Sequence, residues 1–226
     1  MNEALRRSAA HVFVADLGAP VLTDEDAHHL SRVLRLRDGQ AVSVCDGKGS
    51  WRPCTWQSGA LVPAGEVVVE PRTGPELCVA LAPVKGDHTD DAVEKLVEIG
   101  IDRIIVLAPV DHSVVRWDDA RAANALARYR RIVRAAASQS RRTVLPTVEG
   151  PVALADVLSR EGCAMAEPGG PAGMDGVTTV VIGPEGGFSA AEIAMAPRTV
   201  GLGDSVLRAG TAAVVAGALM VAHPRR

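Results

Sequence analysis

The amino-acid sequence predicts an α/β protein, in which a mostly parallel sheet covered by helices follows a small β-rich unit. Three observations carry this prediction. From residue 77 onward, predicted strands alternate with predicted helices, which is typical of parallel sheets. Residues 1–72 instead show short strands punctuated by turns. The stretch Pro71-Arg72-Thr73-Gly74-Pro75 between these patterns is turn-rich, so it predicts a linker between two domains, residues 1–72 and 73–226.

The predicted elements of the N-terminal domain follow from short runs of β-branched and aromatic residues. Strands are predicted over residues 11–14, 41–45, 51–56 and 66–69, and a short helix over residues 24–35. The turn Asp46-Gly47-Lys48-Gly49 is of the hairpin type and joins the second and third strands.

The predicted elements of the C-terminal domain alternate in type. Apolar residues at 92, 93, 96, 97 and 99 form one face of a helix, and Gly100 is a natural helix end. Strands are predicted over residues 77–82, 103–107, 163–166, 177–182 and 199–202. Helices are predicted over residues 90–99, 118–138 and 152–158, and from about residue 209.

Composition indicates a globular chain and excludes several classes of protein. Its 226 residues are 47% apolar, which is enough for a real core, and only 3% aromatic, so the core is aliphatic. The net charge of −3 excludes a globally basic nucleic-acid binder but leaves room for local basic patches. Residues 1–10 contain no apolar run, and the longest such run, 211–222, is too short to span a bilayer. We therefore expect a soluble cytoplasmic protein that does not enter membranes.

The four cysteines, at positions 45, 54, 78 and 163, are scattered and form no Cys-x-x-Cys pair. This spacing argues against a structural zinc site and fits reduced thiols in the cytosol. His28 and His29 are adjacent and would point in different directions on a helix, so they do not indicate a metal site either.

A glycine loop, Gly183 to Gly187, joins the predicted strand 177–182 to a helix that the capping-box pair Ser189 and Glu192 predicts. Such a loop brings backbone amides up to a ligand. It matches neither common nucleotide-binding fingerprint, and Glu185 would repel a phosphate. The loop therefore predicts either a site for a neutral or cationic group, or a turn alone.

A second glycine loop, residues 201–208, follows the next predicted strand and precedes the last helix. Two such loops after neighbouring strands at one sheet edge predict a pocket. The last helix is apolar all round, which predicts either a core helix or close packing in a dimer or against the loops.

A group of arginines, here called the arginine band, is the second candidate functional site. Seven arginines and no acidic residue lie between positions 121 and 142, while Leu126, Ile132 and Val133 form the predicted apolar stripe of the long helix. The band is either a solvated helix face or a track for an RNA backbone. A second cluster, Arg32, Arg35 and Arg37, favours RNA. His112 is interpreted as a polar loop residue and not as a catalytic base.

Motifs along nearly the whole chain resemble the RsmE family, the small-subunit ribosomal RNA uracil-N3 methyltransferases of the SPOUT superfamily. The most specific are Ile182-Gly183-Pro184-Glu185-Gly186-Gly187-Phe188-Ser189 and Leu202-Gly203-x-x-x-Leu207-Arg208, followed by Thr211-Ala212. Lys85, Lys95-Leu96-Val97-Glu98-Ile99-Gly100, Ser113-Val114, Gln139-Ser140-x-Arg142 and His29-Leu30-x-Arg32-Val33-Leu34-Arg35 also resemble family segments.

The resemblance implies a SPOUT domain with a deep trefoil knot, preceded by a PUA-like RNA-binding β-barrel. It implies a homodimer that uses S-adenosylmethionine, needs no metal and methylates N3 of a specific uridine in ribosomal RNA, within the small subunit. The residues expected to bind the cofactor are Ile182, Gly183, Pro184, Glu185, Gly186, Gly187, Leu202, Gly203, Ser205, Val206 and Leu207. Arg208 and Arg142 are the predicted catalytic residues, and Arg32, Arg35, Arg131, Arg134 and Arg141 are the predicted RNA-binding residues.

Three positions depart from the family pattern. Ala209-Gly210-Thr211-Ala212 stands where the family commonly has Thr-Glu-Thr-Ala, so the acidic side chain is missing at Gly210. Asp111-His112-Ser113 replaces Glu-Arg-Ser, and Tyr129 takes the place of a tryptophan. These departures leave a second hypothesis open, a non-catalytic RNA-binding protein that keeps the fold. A third, a small-molecule α/β enzyme, explains the glycine loops but not the arginine band.

Overall fold

The computed structural model describes residues 2–223, which form two compact units. The N-terminal unit contains the residues up to Thr73 together with 137–145, and the C-terminal unit contains 74–136 and the residues from 146 onward. The segment 137–145 thus clusters with the first unit, although a single boundary after residue 72 would place it in the second.

The N-terminal unit is built on a five-stranded sheet. Its elements are α1 (Glu3–Arg7), β1 (Ala10–Phe13), α2 (Asp24–His28), β2 (Ala41–Cys45), β3 (Ser50–Gln57), β4 (Ala60–Pro63) and β5 (Val68–Val69). The strand order is β1-β2-β3-β4, with β5 paired to β3, and all pairs are antiparallel except β1 with β2. The helix predicted over residues 24–35 divides into α2 and a π-helical turn, His29–Val33.

The predicted hairpin between β2 and β3 is confirmed. The Asp46 Oδ1 atom accepts hydrogen bonds from the backbone N–H groups of Lys48 at 2.7 Å and Ser50 at 3.1 Å. Gly47 and Gly49 have φ values of 72° and 105°, a region that side chains rarely tolerate, so the turn needs glycine at both positions.

The segment 137–145 is held in the N-terminal unit by a buried histidine. His11 is only 3% exposed, and its Nε2 atom lies 3.0 Å from the carbonyl oxygen of Arg142. Because that carbonyl only accepts, Nε2 donates and Nδ1 accepts from the Ser43 hydroxyl at 2.8 Å. Burial lowers the pKa of His11 to about 4, so the ring is neutral at pH 7.

The C-terminal unit is a six-stranded parallel sheet with helices between the strands, as predicted. Its elements are β6 (Cys78–Leu81), α3 (His88–Ile99), β7 (Arg103–Leu107), α4 (Asp119–Gln139), β8 (Thr147–Val152), α5 (Leu154–Leu158), β9 (Cys163–Ala166), β10 (Thr179–Ile182), α6 (Ala190–Met195), β11 (Thr199–Val200) and α7 (Ala209–Ala222). Residues 137–139, at the end of α4, cluster with the N-terminal unit. The strand order is β11-β9-β10-β6-β7-β8.

Strand β8 was not predicted. It contains Gly150 and Pro151, which are both rare in strands. It pairs only with β7, at the edge of the sheet, where a missing N–H group is tolerated. The helix predicted over residues 152–158 therefore begins only at Leu154.

The prediction that the two glycine loops follow neighbouring strands is wrong. Strand β9 lies between β10 and β11 and pairs with both, with Cys163 opposite Thr179 and Met165 opposite Thr199. Order along the chain does not fix order across a parallel sheet, because each crossover can skip a strand. The loop after β9 consequently joins the other two loops at the carboxyl edge.

One side of the last helix, α7, packs closely on α3. A Cβ atom at Gly217 would lie 2.8 Å from Ile99 Cδ1 and 2.9 Å from Leu96 Cδ2, so glycine here lets the two helices approach without displacing these side chains. The facing side of α3 buries Val93, Leu96 and Val97. Gly100 ends α3 with a φ of 112°, which confirms the predicted stop.

Candidate active site

A cavity of about 330 Å³ opens at the carboxyl edge of the C-terminal sheet. The loops after β9, β10 and β11 and the first turn of α7 line it, as expected for a ligand site in an open parallel sheet. Ten of the eleven predicted cofactor residues line it, Gly186 being the exception, and so does the predicted catalytic residue Arg208. The ten are Ile182, Gly183, Pro184, Glu185, Gly187, Leu202, Gly203, Ser205, Val206 and Leu207.

The glycine loop takes its shape from the strand before it and the helix after it. Strand β10 is fully buried, and a Cβ atom at Gly183 would lie 2.9 Å from the Phe188 ring, so the loop folds tightly over that ring. The predicted capping box is present. The Ser189 hydroxyl accepts from the Glu192 N–H at 3.3 Å, and the Glu192 carboxylate accepts from the Ser189 N–H at 2.8 Å.

The loop after β7 supports the glycine loop. Glu192 also accepts from the Asp111 N–H at 2.9 Å, so one buried carboxylate fixes both loops. His112 Nδ1 donates to the carbonyl oxygens of Gly186 and Gly187, at 3.1 and 3.2 Å. A Cβ atom at Gly186 would lie 3.0 Å from His112 Cβ, so this glycine makes room for the histidine and not for a ligand.

Three charged side chains line the cavity, together with the apolar residues Ile182, Phe188, Leu202 and Leu207. Glu185 and Arg208 were predicted, whereas Glu167 was missed. Glu167 directly follows β9, and its position after a strand of a parallel sheet was the available signal. A site with two carboxylates and one guanidinium suits a ligand that carries both cationic and anionic or hydroxyl groups.

A second cavity, of about 360 Å³, lies between α3 and the start of α7. His88, Asp91 and Lys95 line it from one face of α3, and Gly210 lines it from α7. Glu185, Arg208 and Ala209 line both cavities, so the two share a wall.

The predicted catalytic residue Arg142 and the predicted RNA-binding residue Arg141 belong to the N-terminal unit and do not line either cavity. The Arg142 carbonyl accepts from His11, as described above. The Arg141 guanidinium donates to the backbone carbonyls of Ser8 at 2.6 Å and Arg6 at 3.4 Å. The structure therefore gives Arg141 an internal contact, and both assigned roles stay predictions.

The arginines of α4 lie on its outward faces. The buried stripe consists of Ala122, Leu126, Tyr129, Val133, Ala136 and Ala137, with Ile132 only half-buried. Arg131 is exposed and Arg134 is partly so, whereas Arg128 pairs with Asp90 at 2.6 Å. In the N-terminal unit Arg32, Arg35 and Arg37 are all exposed. The surface of each unit thus carries basic residues.

Two features are absent from residues 2–223. No cluster of three or more His, Cys, Asp or Glu side chains is arranged to hold a metal ion. No helix in the same range is long and apolar enough to cross a membrane.

Comparison with known families identifies the class of protein. A family model described as an RNA methyltransferase domain matches residues 72–221, and one described as an RNA methyltransferase PUA domain matches residues 22–57. The chain is therefore an RNA methyltransferase by class. A curated relative from Mycobacterium bovis, named ribosomal RNA small subunit methyltransferase E, is 30% identical over 225 residues, covering 89% of this chain and 86% of that protein. The chain belongs to the ribosomal RNA small subunit methyltransferase E family, as its motifs indicated.

Solved structures share the fold over nearly the whole chain. A probable rRNA methyltransferase from Porphyromonas gingivalis is 26% identical with a TM-score of 0.75, covering 92% of this chain and 95% of that one. A ribosomal RNA small subunit methyltransferase E from Neisseria gonorrhoeae, bound to S-adenosyl methionine, is 23% identical with a TM-score of 0.76, covering 93% and 96%. The similarity to the Neisseria gonorrhoeae structure shows only that the two proteins share a fold.

Proposed function

We propose that the protein transfers a methyl group from S-adenosylmethionine to N3 of a specific uridine in small-subunit ribosomal RNA. The observation that carries this proposal is the cavity at the carboxyl edge of the sheet, which gathers ten of the eleven predicted cofactor residues and Arg208. Membership of the ribosomal RNA small subunit methyltransferase E family supports the RNA substrate. The choice of uridine N3 rests on the resemblance of the motifs.

The cavity residues fit S-adenosylmethionine, which is bound in the Neisseria gonorrhoeae structure of the same fold. The apolar side chains Ile182, Leu202 and Leu207 suit an adenine ring, and the glycine loop leaves its backbone exposed to a ligand. Glu185 and Glu167 offer carboxylates to an ammonium group and to ribose hydroxyls. When bound, this cofactor supplies a methyl group on a sulfonium that is already activated for transfer.

Catalysis then depends on positioning and on removal of the N3 proton. Arg208 lies in the wall of the cavity and is the proposed partner for negative charge that develops on the uracil oxygens. Arg142 remains a second candidate for that role. Because N3 lies on the pairing edge, the base must be unpaired or flipped out before it reacts.

Binding of the RNA is assigned to basic surfaces outside the cavity. Arg131 and Arg134 on α4, and Arg32 and Arg35 in the N-terminal unit, provide surface cations for phosphate groups. The match of residues 22–57 to a PUA domain supports an RNA-binding role for the N-terminal unit. We further propose a knotted, homodimeric enzyme that acts in the cytoplasm, where its ribosomal substrate is found.

The alternative is an RNA-binding protein that keeps the fold without catalysis. Gly210 favours it, since the acidic side chain common in the family is missing there. Methyl transfer to ribosomal RNA from a strain that lacks the enzyme separates the two, because only a catalyst leaves a methylated base that mass spectrometry can map.

The cofactor assignment has its own test. Calorimetry with S-adenosylmethionine should show binding to the wild-type protein. Gly183→Val should abolish it, because a Cβ atom there meets the Phe188 ring at 2.9 Å and shifts the loop. Ala155→Leu, which adds similar bulk to an exposed position of α5 outside the cavity, is the matched control. Unchanged affinity in Gly183→Val would remove the assignment.

A further inference from the structure

The second cavity shares a wall with the proposed cofactor site, and this wall consists of Glu185, Arg208 and Ala209. Direct methyl transfer requires the two reacting atoms to be in contact, and these shared residues make the two cavities adjacent. We propose that the cavity between α3 and α7 receives the pyrimidine base that accepts the methyl group, which rests on the function proposed above. Its volume of about 360 Å³ lies within the roughly 300–1,000 Å³ of small-molecule sites.

The polar groups of this cavity complement the pairing edge of uracil. That edge presents an acceptor, a donor and an acceptor, namely O2, N3–H and O4. Arg208 and Lys95 supply donors for the two oxygens, and Asp91 supplies an acceptor for the N3 proton. The spacing of His88, Asp91 and Lys95 is i, i+3 and i+7, so α3 presents all three along one face.

The base becomes nucleophilic when it loses its N3 proton. The Asp91 carboxylate takes this proton, and the nitrogen keeps the electron pair that forms the new bond to the methyl carbon. The carbon–sulfur pair stays on the donor sulfur, which leaves as a neutral thioether. Negative charge on the uracil oxygens is stabilised by Arg208 and by the positive end of α7, whose first turn lines the cavity.

Lys95 is held near the cavity without being committed to a single partner. Its Nζ atom lies 3.1 Å from carboxylate oxygens of both Glu94 and Glu98. Both pairs are half-exposed, and surface ion pairs contribute little to stability, so the ammonium can turn towards a bound base.

Gly210 keeps this cavity open. A Cβ atom at this position would meet only the carbonyl oxygen of His88, at 3.4 Å, which is an ordinary contact. A leucine at 210 therefore fits the backbone but fills part of the cavity with an apolar group, whereas the acidic side chain common in the family would place a carboxylate there that can face the N3 proton. Gly210 does not line the cofactor cavity, so its substitution separates the two sites.

The test is Gly210→Leu. We expect its affinity for S-adenosylmethionine, measured by calorimetry, to change by less than about threefold, or under 1 kcal/mol. The turnover number for methyl transfer to ribosomal RNA should fall by about 100-fold or more, since the base no longer reaches the reacting position. Affinity for the RNA, which depends on backbone contacts elsewhere, should stay within about threefold.

Ala155→Leu on the exposed side of α5 should keep wild-type activity. Asp91→Leu fills the same cavity from an exposed position of α3 and should reproduce the loss if Gly210→Leu fails to fold. Activity within about threefold of wild type in both variants, or loss of cofactor binding in step with activity, overturns the acceptor pocket. A wild-type protein that transfers no methyl group would instead overturn the proposed function, and calorimetry and turnover distinguish these cases.

Discussion

At the scale of single residues, His11 shows how a buried polar group controls part of the fold. Its ring donates to the Arg142 carbonyl and accepts from Ser43, and Ser43 also contacts the Ser8 hydroxyl at 2.9 Å. These bonds tie strand β1 to a segment 131 residues later in the chain. They require a neutral ring, because the protonated ring has no acceptor for Ser43 and its charge is buried.

We predict that the N-terminal unit loses stability in mild acid. The pKa of His11 in the folded state is lowered from 6.5 to about 4, so the folded protein binds this proton less readily than the unfolded chain. The neutral His11 ring therefore contributes about 3 kcal/mol to the free energy of unfolding. This contribution is complete above pH 6.5 and is lost as the pH falls towards 4. Urea titrations at several pH values measure this loss of stability when they follow the fluorescence of the buried Trp51 and Trp56 in a Trp117→Phe background.

The matched variant for this prediction is His11→Gln. Its amide keeps a donor for the Arg142 carbonyl but does not titrate. This variant should start less stable at pH 7 and lose less free energy than the wild type on acidification. If both proteins lose the same amount, carboxylates elsewhere account for the acid sensitivity and His11 does not.

At the scale of elements, α4 buries one face against the core and carries its arginines on the other faces. Its buried stripe is alanine, leucine, valine and tyrosine, whereas Arg131 is exposed and Arg134 is half-buried. Changing both to glutamate should weaken RNA binding while the protein stays folded at the assay temperature, which a thermal unfolding scan checks. Each lost phosphate contact should reduce the slope of log K against log salt by roughly 0.7–0.9.

The control for α4 is Arg121→Glu in the first turn of the same helix. Arg121 is exposed and already faces Asp118 at 3.5 Å, so its net contribution to the basic surface is small. It lies about 15 Å along the helix from Arg131. Arg121→Glu changes the net charge by half as much as the double variant, so half the loss of binding free energy in this control would mean that net charge alone, and not the position of Arg131 and Arg134, determines RNA binding.

The elements also show what the sequence can predict. The capping box at Ser189, the turn after β2 and the helix stop at Gly100 depend on neighbouring residues, and all three are confirmed. The contacts that complete the site join residues far apart, such as Glu192 with Asp111, 81 residues away, and His112 with Gly186, 74 away. No local pattern encodes such contacts, and the position of β9 between β10 and β11 was missed for the same reason.

At the scale of the whole molecule, the cysteines report on each unit separately. Cys45 and Cys54 lie in the N-terminal unit, Cys78 and Cys163 lie in the C-terminal unit, and all four are buried. Burial raises the pKa of Cys78 to about 12 and that of Cys163 to about 11. Because the thiolate is the species that is alkylated, these thiols react only when their unit opens.

We predict that S-adenosylmethionine protects one pair of cysteines and not the other. Cys78 and Cys163 belong to the same core cluster as Phe188 and lie at the amino ends of β6 and β9, so they are exposed only when this core opens, and a ligand that binds only the closed unit opposes that opening. When S-adenosylmethionine is present at 100 times its dissociation constant, the alkylation of Cys78 and Cys163 should slow about 100-fold. Cys45 and Cys54 should react at an unchanged rate.

Iodoacetamide labelling followed by peptide mass spectrometry measures all four rates in one sample, with Gly183→Val as the variant that shows no protection. Equal protection of both pairs would mean that the two units open together, and no protection of either would place the ligand outside the C-terminal core.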